Sequence, residues 1–243
     1  IHTHSPRSDL LAYSSNLFIK NKGKRIVTIH GKYGTYLQGN FLIDFLRKIF
    51  IKQQSKIWEK ANKVIVISES IRDWLEKLNS SIKPTVIPYG VEIQEVSQKN
   101  KLANPTLGYL GKLNKNKGIE DLIDVYTKFQ EKENSSNFEL TLLIGGTGSE
   151  NYIKSLKNKI KDNNVKFLGY VEDRYSFFES IEIFVFPSYS EGLGLVLLEA
   201  MAHGVICITR DVTPMNSIVD NEENGFLFKD NKELLEKLSL IHI

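Results

Sequence analysis

Two glutamates eight residues apart, Glu191 and Glu199, lie in the segment of this 243-residue chain that most clearly predicts chemistry. A strand is predicted over residues 181–186 and a short helix over residues 195–202. The helix is apolar on every side except at Glu199, which predicts that it is buried and that this carboxylate has either a structural partner or a ligand. The glycine-containing turn after Glu191 brings backbone N–H groups to the start of the helix, where they are suited to bind an anion. A carboxylate that can accept hydroxyls, beside amides that can bind phosphate, suggests a sugar nucleotide.

The same pair of glutamates could instead be the acid and base of a glycosidase. Eight residues of helix rise about 12 Å, whereas the two carboxylates of glycoside hydrolases lie roughly 5 to 9.5 Å apart. The spacing therefore favours two separate roles. Glu199 can accept hydrogen bonds from a ribose diol, and Glu191, at the turn, can bind a sugar.

A lysine-rich loop is predicted where another strand ends. Residues 108–118 include Lys112, Lys115 and Lys117, and a helix is predicted from residue 119. The ammonium groups and the helix dipole can together surround a diphosphate. A solvated loop without function would have the same composition, so the loop alone leaves both interpretations open.

Neither a dinucleotide site nor a metal site is indicated. The turn over residues 144–150 lacks the G-x-G-x-x-G spacing of a dinucleotide fingerprint, and a tight turn explains its glycines better. No Asp-x-Asp occurs in the chain, so the acidic pair that usually holds a metal-bound sugar nucleotide is missing. We therefore expect no metal and no cofactor, with the phosphate charge met by lysines and a helix dipole.

His30 is the candidate catalytic residue of the first half of the chain. It ends a strand predicted over residues 25–30 and precedes Gly31. Ligands of open α/β sheets bind at the carboxyl ends of the strands, which makes a histidine there a candidate for function. The alternative is a histidine that only pairs with nearby backbone. His2 and His4 also lie at a strand end, but their spacing alone does not support a metal site.

Charge divides the chain into two halves. Residues 1–104 contain 17 Lys and Arg against 8 Asp and Glu, whereas residues 105–243 contain 15 against 21. This asymmetry suggests two domains, the first of which faces an anionic partner. Strands and helices alternate in both halves, as is typical of parallel α/β layers. Because residues 91–105 are polar and aperiodic, we predict a linker there and domains over residues 1–95 and 96–243.

Two helices of the first half have apolar faces. The helix predicted over residues 6–20 is expected to pack inward through four apolar residues. They are Leu10, Leu11, Leu17 and Phe18. The helix predicted over residues 41–61 mixes aromatic residues with Lys and Arg, and it could lie on an anionic membrane surface or simply cover its own sheet. No apolar run in the sequence reaches the length of a membrane span. We expect a cytoplasmic protein, at most peripheral on the inner face of the membrane, with no nucleic-acid partner.

Several motifs follow one another along the chain in a fixed order. In the first half they are Ile1-His-Thr-His-Ser-Pro-Arg7, Thr28-Ile-His30-Gly31, Val66-Ile-Ser68 and Val86-Ile-Pro-Tyr-Gly-Val91. In the second half they are Gly111-Lys112-Leu with Lys117-Gly118, Phe167-Leu-Gly-Tyr-Val171, Phe186-Pro-Ser, Glu191-Gly-Leu-Gly-Leu-Val with Glu199-Ala-Met-Ala, and Asn224-Gly-Phe-Leu-Phe228. In this order the motifs resemble those of glycosyltransferase family 4, over nearly the whole chain.

The resemblance implies an α/β fold of the GT-B type, with two Rossmann-like domains facing a cleft. It also implies a retaining, metal-independent transferase that moves a sugar from a UDP- or GDP-sugar to a glycan or lipid-linked acceptor. By the same resemblance, His30 and Glu191 would act at the reacting sugar, Lys112 and Lys117 would bind the diphosphate, and Glu199 would bind the ribose. The implied donor site consists of Gly111, Lys112, Lys117, Glu191, Gly192, Leu193, Gly194, Leu195, Val196 and Glu199.

The chain also departs from the family pattern. Lys112 stands where the family usually has arginine, so a bidentate contact with phosphate is lost. The family's first strands would precede Ile1 and its last helices would follow Leu238, so we expect a fragment whose first domain is incomplete. Two alternatives stay open: another GT-B enzyme, such as a sugar-nucleotide epimerase, and a non-catalytic subunit that binds a sugar nucleotide.

Overall fold

A computed structural model describes residues 1–19, 23–33, 41–93, 105–133, 139–160 and 162–240. The chain divides into two compact units, Ile1–Gly90 and Val91–Ile243. The predicted domain boundary and most of the predicted linker fall on residues 94–104, outside the described residues. The division into an acceptor-side and a donor-side domain therefore stays a prediction.

Over its described residues, the first unit is a parallel four-stranded sheet with three helices. Its strands are ordered β1-β2-β3-β4. The elements are β1 (His2–Thr3), α1 (Pro6–Phe18), β2 (Ile26–Ile29), α2 (Phe41–Glu59), β3 (Lys63–Val66), α3 (Glu69–Leu78) and β4 (Thr85–Val86). Serine side chains cap two of the helices: Ser5 accepts from the Ser8 N–H in a capping box, and Ser68 accepts from the Ile71 N–H. Among the described residues, no helix has both the length and the apolar composition needed to span a membrane.

The prediction of which residues of α1 pack inward is wrong. Four apolar residues predicted to pack inward are exposed, by 46% to 88% of their surfaces: Leu10, Leu11, Leu17 and Phe18. The helix instead buries Asp9 and Ala12. The buried Trp58 of α2 donates from Nε1 to Asp9 Oδ2 at 2.8 Å. This buried hydrogen bond between α1 and α2 sets the rotation of α1, because an unpaired buried carboxylate would cost more than exposed leucines.

The second unit is a parallel six-stranded sheet whose strand order is β10-β9-β8-β5-β6-β7. Its strands are β5 (Thr106–Leu110), β6 (Thr141–Gly145), β7 (Val165–Gly169), β8 (Ile183–Phe186), β9 (Ile206–Arg210) and β10 (Phe226–Phe228). Its helices are α4 (Ile119–Glu133), α5 (Glu150–Asn158), α6 (Arg174–Glu179), α7 (Leu195–Ala202) and α8 (Asn231–Ser239). The predicted α/β class, with helices alternating with parallel strands in both units, is confirmed.

Alternation along β8 produces two apolar layers in the second unit. Ile183 and Val185 belong to one buried cluster, and Phe184 and Phe186 belong to the other. Successive side chains of a strand point to opposite faces, so helices cover both faces of this sheet. The first cluster includes residues of α4, α5 and α8, and the second includes residues of α6 and α7.

Helix α7 is less buried than its composition predicts. Only Leu197 and Ala200 of its residues are fully buried. Glu199 lies on the half-buried side, where its side chain is 23% exposed. A helix of eight residues at the edge of a cluster packs along one stripe, and its remaining apolar residues stay partly accessible.

Candidate functional site

The strand order of the second unit creates a topological switch point at β5. This strand pairs with β6 on one side and with β8 on the other. In open α/β sheets, ligands bind outside the carboxyl ends of the strands at such a point. The loops that leave β5 and β8 there are residues 111–118 and 187–194, which contain most of the predicted donor-binding residues.

These two loops contact each other through their backbones. The Tyr189 N–H donates to the Asn116 carbonyl at 3.0 Å. Gly118 has φ +65°, and a Cβ at this position would lie 2.1 Å from the Pro187 carbonyl oxygen. Only glycine satisfies both the left-handed backbone and the close approach. The loops therefore form one surface with a fixed spacing.

Lys117 and Glu191 meet on this surface. The Lys117 ammonium donates to Glu191 Oε1 at 2.6 Å. The two side chains are 22% and 13% exposed, respectively, so this ion pair is largely withdrawn from water. Beneath it, burial raises the pKa of the Tyr109 hydroxyl, and the Glu191 charge raises it further. Two predicted site residues are thus brought into direct contact.

The Tyr109 side chain supports the start of the lysine loop. The Tyr109 hydroxyl donates to the Lys112 carbonyl at 3.1 Å. A Cβ at Gly111 would lie 3.2 Å from the same hydroxyl. The Lys112 side chain is exposed. Lys112 is therefore placed on the same loop as Lys117, with its charge in solvent.

The glycine-rich turn after β6 packs against the lysine loop. Leu113 donates its N–H to the Thr147 carbonyl at 2.8 Å. A Cβ at Gly146 would lie 1.7 Å from the Gly111 carbonyl oxygen, and one at Gly148 would lie 2.3 Å from that of Leu113. The glycines are explained by this close approach of two backbones, which supports the prediction of a turn rather than a dinucleotide fingerprint.

Helix α7 begins beside Glu191 at a glycine that the backbone requires. Its N-cap, Gly194, has φ +82° and provides no side-chain hydrogen bond to the helix. The N–H groups of Leu195 and Val196 occupy the first turn, where no intrahelical acceptor exists. Leu193 is buried and Gly192 is half-buried in the turn before them. This arrangement directs helix-end N–H groups and a positive dipole outward from the carboxyl end of β8.

Glu199 has a structural partner that the sequence did not reveal. The Nη1 atom of Arg174 donates to both of its carboxylate oxygens, at 2.8 and 3.0 Å. Arg174 is the first residue of α6 and its side chain is 53% exposed. Because Arg174 lies 25 residues before Glu199, the residue spacing around Glu199 could not predict this contact.

A second missed residue, Arg210, anchors the loop that contains Glu191. Its side chain is 6% exposed, and its guanidinium donates to Asp121 at 2.6 Å and to the Pro187 carbonyl at 3.0 Å. The Tyr189 hydroxyl also donates to Asp121, at 2.5 Å, while the Arg210 guanidinium lies 4.1 Å from the centre of the Tyr189 ring. These contacts fix the loop after β8 to helix α4.

His30 lies in the first unit, at the carboxyl end of β2, and both of its ring nitrogens have partners. Its Nε2 contacts His4 Nδ1 at 2.9 Å, and its Nδ1 contacts the Tyr89 hydroxyl. Burial lowers the pKa of His30, and His4 and His2 lower it further. Within the described residues, no three His, Cys, Asp or Glu side chains are grouped as the ligands of a metal ion would be.

Comparison with protein families finds two matches. Residues 104–242 match the family described as glycosyl transferases group 1. Residues 1–95 match the family described as glycosyltransferase family 4. The division between these two matches falls within the same stretch as the predicted linker.

Named relatives match over almost the whole chain. CapM, a capsular polysaccharide biosynthesis glycosyltransferase of Staphylococcus aureus, is 30% identical over 98% of this chain and 66% of its own length. WclY, an O-antigen biosynthesis glycosyltransferase of Escherichia coli, is 26% identical over 98% of this chain and 68% of its own length. The chain thus spans about two thirds of the length of the curated relatives it matches.

Among solved structures, Anabaena Alr3699/HepE in complex with UDP and glucose is similar in fold. It aligns with a TM-score of 0.82 at 18% identity, over 99% of this chain and 68% of HepE. At this identity the likeness concerns the fold.

Proposed function

Because this chain belongs to glycosyltransferase family 4, we propose that it transfers a sugar from a nucleotide-sugar donor to a glycan or lipid-linked acceptor. The GT-B fold implied by the sequence resemblance is confirmed by the likeness to HepE and related structures. The names of CapM and WclY, which refer to capsule and O-antigen synthesis, support a role in building a cell-surface polysaccharide.

The observation that carries this proposal is the Lys117–Glu191 pair at the switch point, beside the first amides of α7. An ammonium group has three donors, so Lys117 can keep Glu191 and still donate to a phosphate oxygen. Lys112, exposed on the same loop, supplies a second positive charge. Hydrogen bonds that involve a charged group contribute about 1.5 to 3 kcal/mol each, and a helix N-terminus adds about 0.3 to 1 kcal/mol.

In the proposed complex the side chains and amides of the second unit bind different parts of the nucleotide sugar. Lys112, Lys117 and the amides from Gly192 to Val196 bind the diphosphate and the adjoining sugar, and Glu191 accepts from a sugar hydroxyl. Glu199 accepts from the ribose diol through the lone pairs that Arg174 does not use. HepE, whose structure holds UDP and glucose, supports a uridine donor among the alternatives.

The proposed chemistry is retaining and needs no metal. The acceptor hydroxyl attacks from the face that the leaving diphosphate occupies, and a phosphate oxygen takes its proton. Negative charge grows on the leaving group as the glycosidic bond breaks. Lysine ammonium groups and helix-end amides that are already oriented toward that position stabilise it without reorganising.

Helix α2 supports a further proposed partner, an anionic membrane surface. Leu46, Ile49 and Phe50 are 55%, 44% and 55% exposed on this helix, which also has exposed Lys48 and Lys52. Apolar side chains between lysines suit an interface that contains acidic lipids. If the protein is cytoplasmic, as the sequence predicts, this contact would lie on the inner face of the membrane. Co-sedimentation with vesicles tests this: binding to acidic vesicles should be lost in Ile49→Ser/Phe50→Ser, and equal binding by both proteins would contradict it.

The transfer reaction is tested by incubating the protein with labelled UDP- and GDP-sugars and candidate acceptors. The proposal predicts a labelled product whose formation falls at least a hundredfold in Glu191→Gln. Glu236→Gln, a change at an exposed residue of α8, is the control and should match the unchanged protein. A donor whose sugar is converted to its epimer without transfer would instead identify an epimerase.

A further inference from the structure

Three side chains form a continuous row at the carboxyl edge of the first sheet. His4 follows β1, His30 follows β2 and Tyr89 follows β4. The rings of His4 and His30 are stacked with centroids 5.2 Å apart, and those of His30 and Tyr89 with centroids 5.8 Å apart. Hydrogen bonds also link the three side chains: His4 Nδ1 contacts His30 Nε2, and His30 Nδ1 contacts the Tyr89 hydroxyl.

Hydrogen-bond chemistry gives this row a direction. A neutral imidazole has one donor and one acceptor nitrogen, so His30 must donate to one neighbour and accept from the other. A phenol hydroxyl is the stronger donor of the two neighbours, which favours Tyr89 donating to His30 Nδ1. His30 then carries its proton on Nε2 and donates to His4 Nδ1. His4 in turn carries its proton on Nε2, the ring nitrogen that His30 does not use.

The surroundings favour the neutral form that this pattern requires. Burial lowers the pKa of His30, followed by the effects of His4 and His2, while the buried carboxylate of Asp9 acts in the opposite direction with a smaller effect. The Tyr33 hydroxyl also lies near, and its pKa is raised by burial and by Asp9. The net effect on His30 is a lowered pKa, so near pH 7 the ring is neutral.

We propose that Tyr89 and His4 are positioning residues that fix the tautomer of His30, and that the Nε2–H of exposed His4 donates to an oxygen atom of the acceptor. Both ring nitrogens of His30 are hydrogen-bonded within the row. The N–H group at the end of the row is therefore that of His4. The substrate part rests on the proposed transferase function, whereas the tautomer does not depend on it.

The tautomer is measured by NMR of the protein labelled with ¹⁵N-histidine. The expected result is protonation at Nε2 in both His30 and His4. Tyr89→Phe and His4→Phe keep the ring and remove the polar atoms, and each should shift His30 to a mixture of tautomers. His2→Phe is the matched control: the His2 ring lies 4.2 Å from the His4 ring, but its Nε2 is hydrogen-bonded to Thr28, so its loss should leave the tautomer of His30 unchanged. A proton on Nδ1 of His30, or an equal shift in His2→Phe, overturns the proposal.

The substrate contact is measured by turnover. His4→Phe should lower kcat/KM at least tenfold while the Kd for the free nucleotide stays the same, because the nucleotide lies on the loops of the second unit. Unchanged kcat/KM in His4→Phe overturns the substrate role. Failure of the unchanged protein to transfer any sugar overturns the proposed function and the substrate role with it, and the NMR result still decides the tautomer.

Discussion

Lys117 and Glu191 are ion-paired at 2.6 Å although 74 residues separate them in sequence. One comes from the loop after β5 and the other from the loop after β8, so the pair joins the two sides of the switch point. With both side chains mostly buried, neither charge can be removed without leaving the other poorly solvated.

Replacement of Lys117 by methionine should therefore destabilise the second unit. The Glu191 carboxylate would lose its charged partner in a site where it is 13% exposed, at a cost of about 1 to 3 kcal/mol. Both tryptophans, Trp58 and Trp74, lie in the first unit, so circular dichroism during urea unfolding is the suitable measurement. Lys115→Met, at an exposed position in the same loop, is the control. Equal stability of the two variants would contradict the structural role of the pair.

Alanine substitutions at Gly118 and Gly169, compared with each other, test the close approach between the loop after β5 and the loop after β8. Both have left-handed backbones, with φ +65° and +69°, so alanine at either position costs about 1 to 2 kcal/mol in backbone strain. Only at Gly118 would the new Cβ meet another backbone, the Pro187 carbonyl, since nothing lies within 4 Å at Gly169. We expect Gly118→Ala to be the more destabilising change and to abolish nucleotide binding, as measured by urea unfolding and calorimetry. Similar losses in the two variants would contradict the close approach.

Arg210 should be far more sensitive to substitution than an exposed arginine. Arg210→Met removes the charged partner of Asp121 and the donor to two backbone carbonyls, which costs about 3 kcal/mol or more for a buried pair. Arg72, paired with Asp73 on the surface of α3, is the comparison, and Arg72→Met should leave the unfolding midpoint unchanged. A mild effect at Arg210 would show that the loop after β8 is held by other contacts.

His30 should make the stability of the first unit depend on pH below neutrality. Its pKa is lowered from 6.5 in the folded state, mainly by burial, so between the two values the unfolded chain binds more protons. The stability that neutral His30 contributes is therefore fully present above pH 6.5 and is lost as the pH falls toward the pKa of His30 in the folded state. Tryptophan fluorescence during urea unfolding reports on this unit. His30→Gln should have a flatter dependence across that window, and an identical slope in both proteins would contradict the shift.

Local patterns predicted the elements well, because the periodicity of a helix or strand is contained in its own residues. The bounds of α7 agree with the prediction residue for residue, and α4 begins at the predicted residue, Ile119. Predictions failed where distant side chains decide the outcome. The orientation of α1 depends on a hydrogen bond between Asp9 and Trp58, 49 residues apart.

The candidate site shows the same division. Glu191, Glu199 and the lysine loop could be found from residue type and spacing. The partners that hold them could not, since Arg174 and Glu199 are separated by 25 residues and Asp121 and Arg210 by 89. Such contacts depend on which strands become neighbours in the sheet, and the residues of a single segment do not determine that order.

The central claim, that the switch point of the second unit binds a nucleotide sugar, is tested most directly by calorimetric titration with UDP and GDP. The claim predicts saturable binding of at least one of them, weakened about tenfold or more in Glu199→Ala because the ribose diol loses its acceptor. Glu236→Ala, on the surface of α8, should bind like the unchanged protein. Equal affinity of the Glu199→Ala and unchanged proteins for every nucleotide tried would contradict the claim.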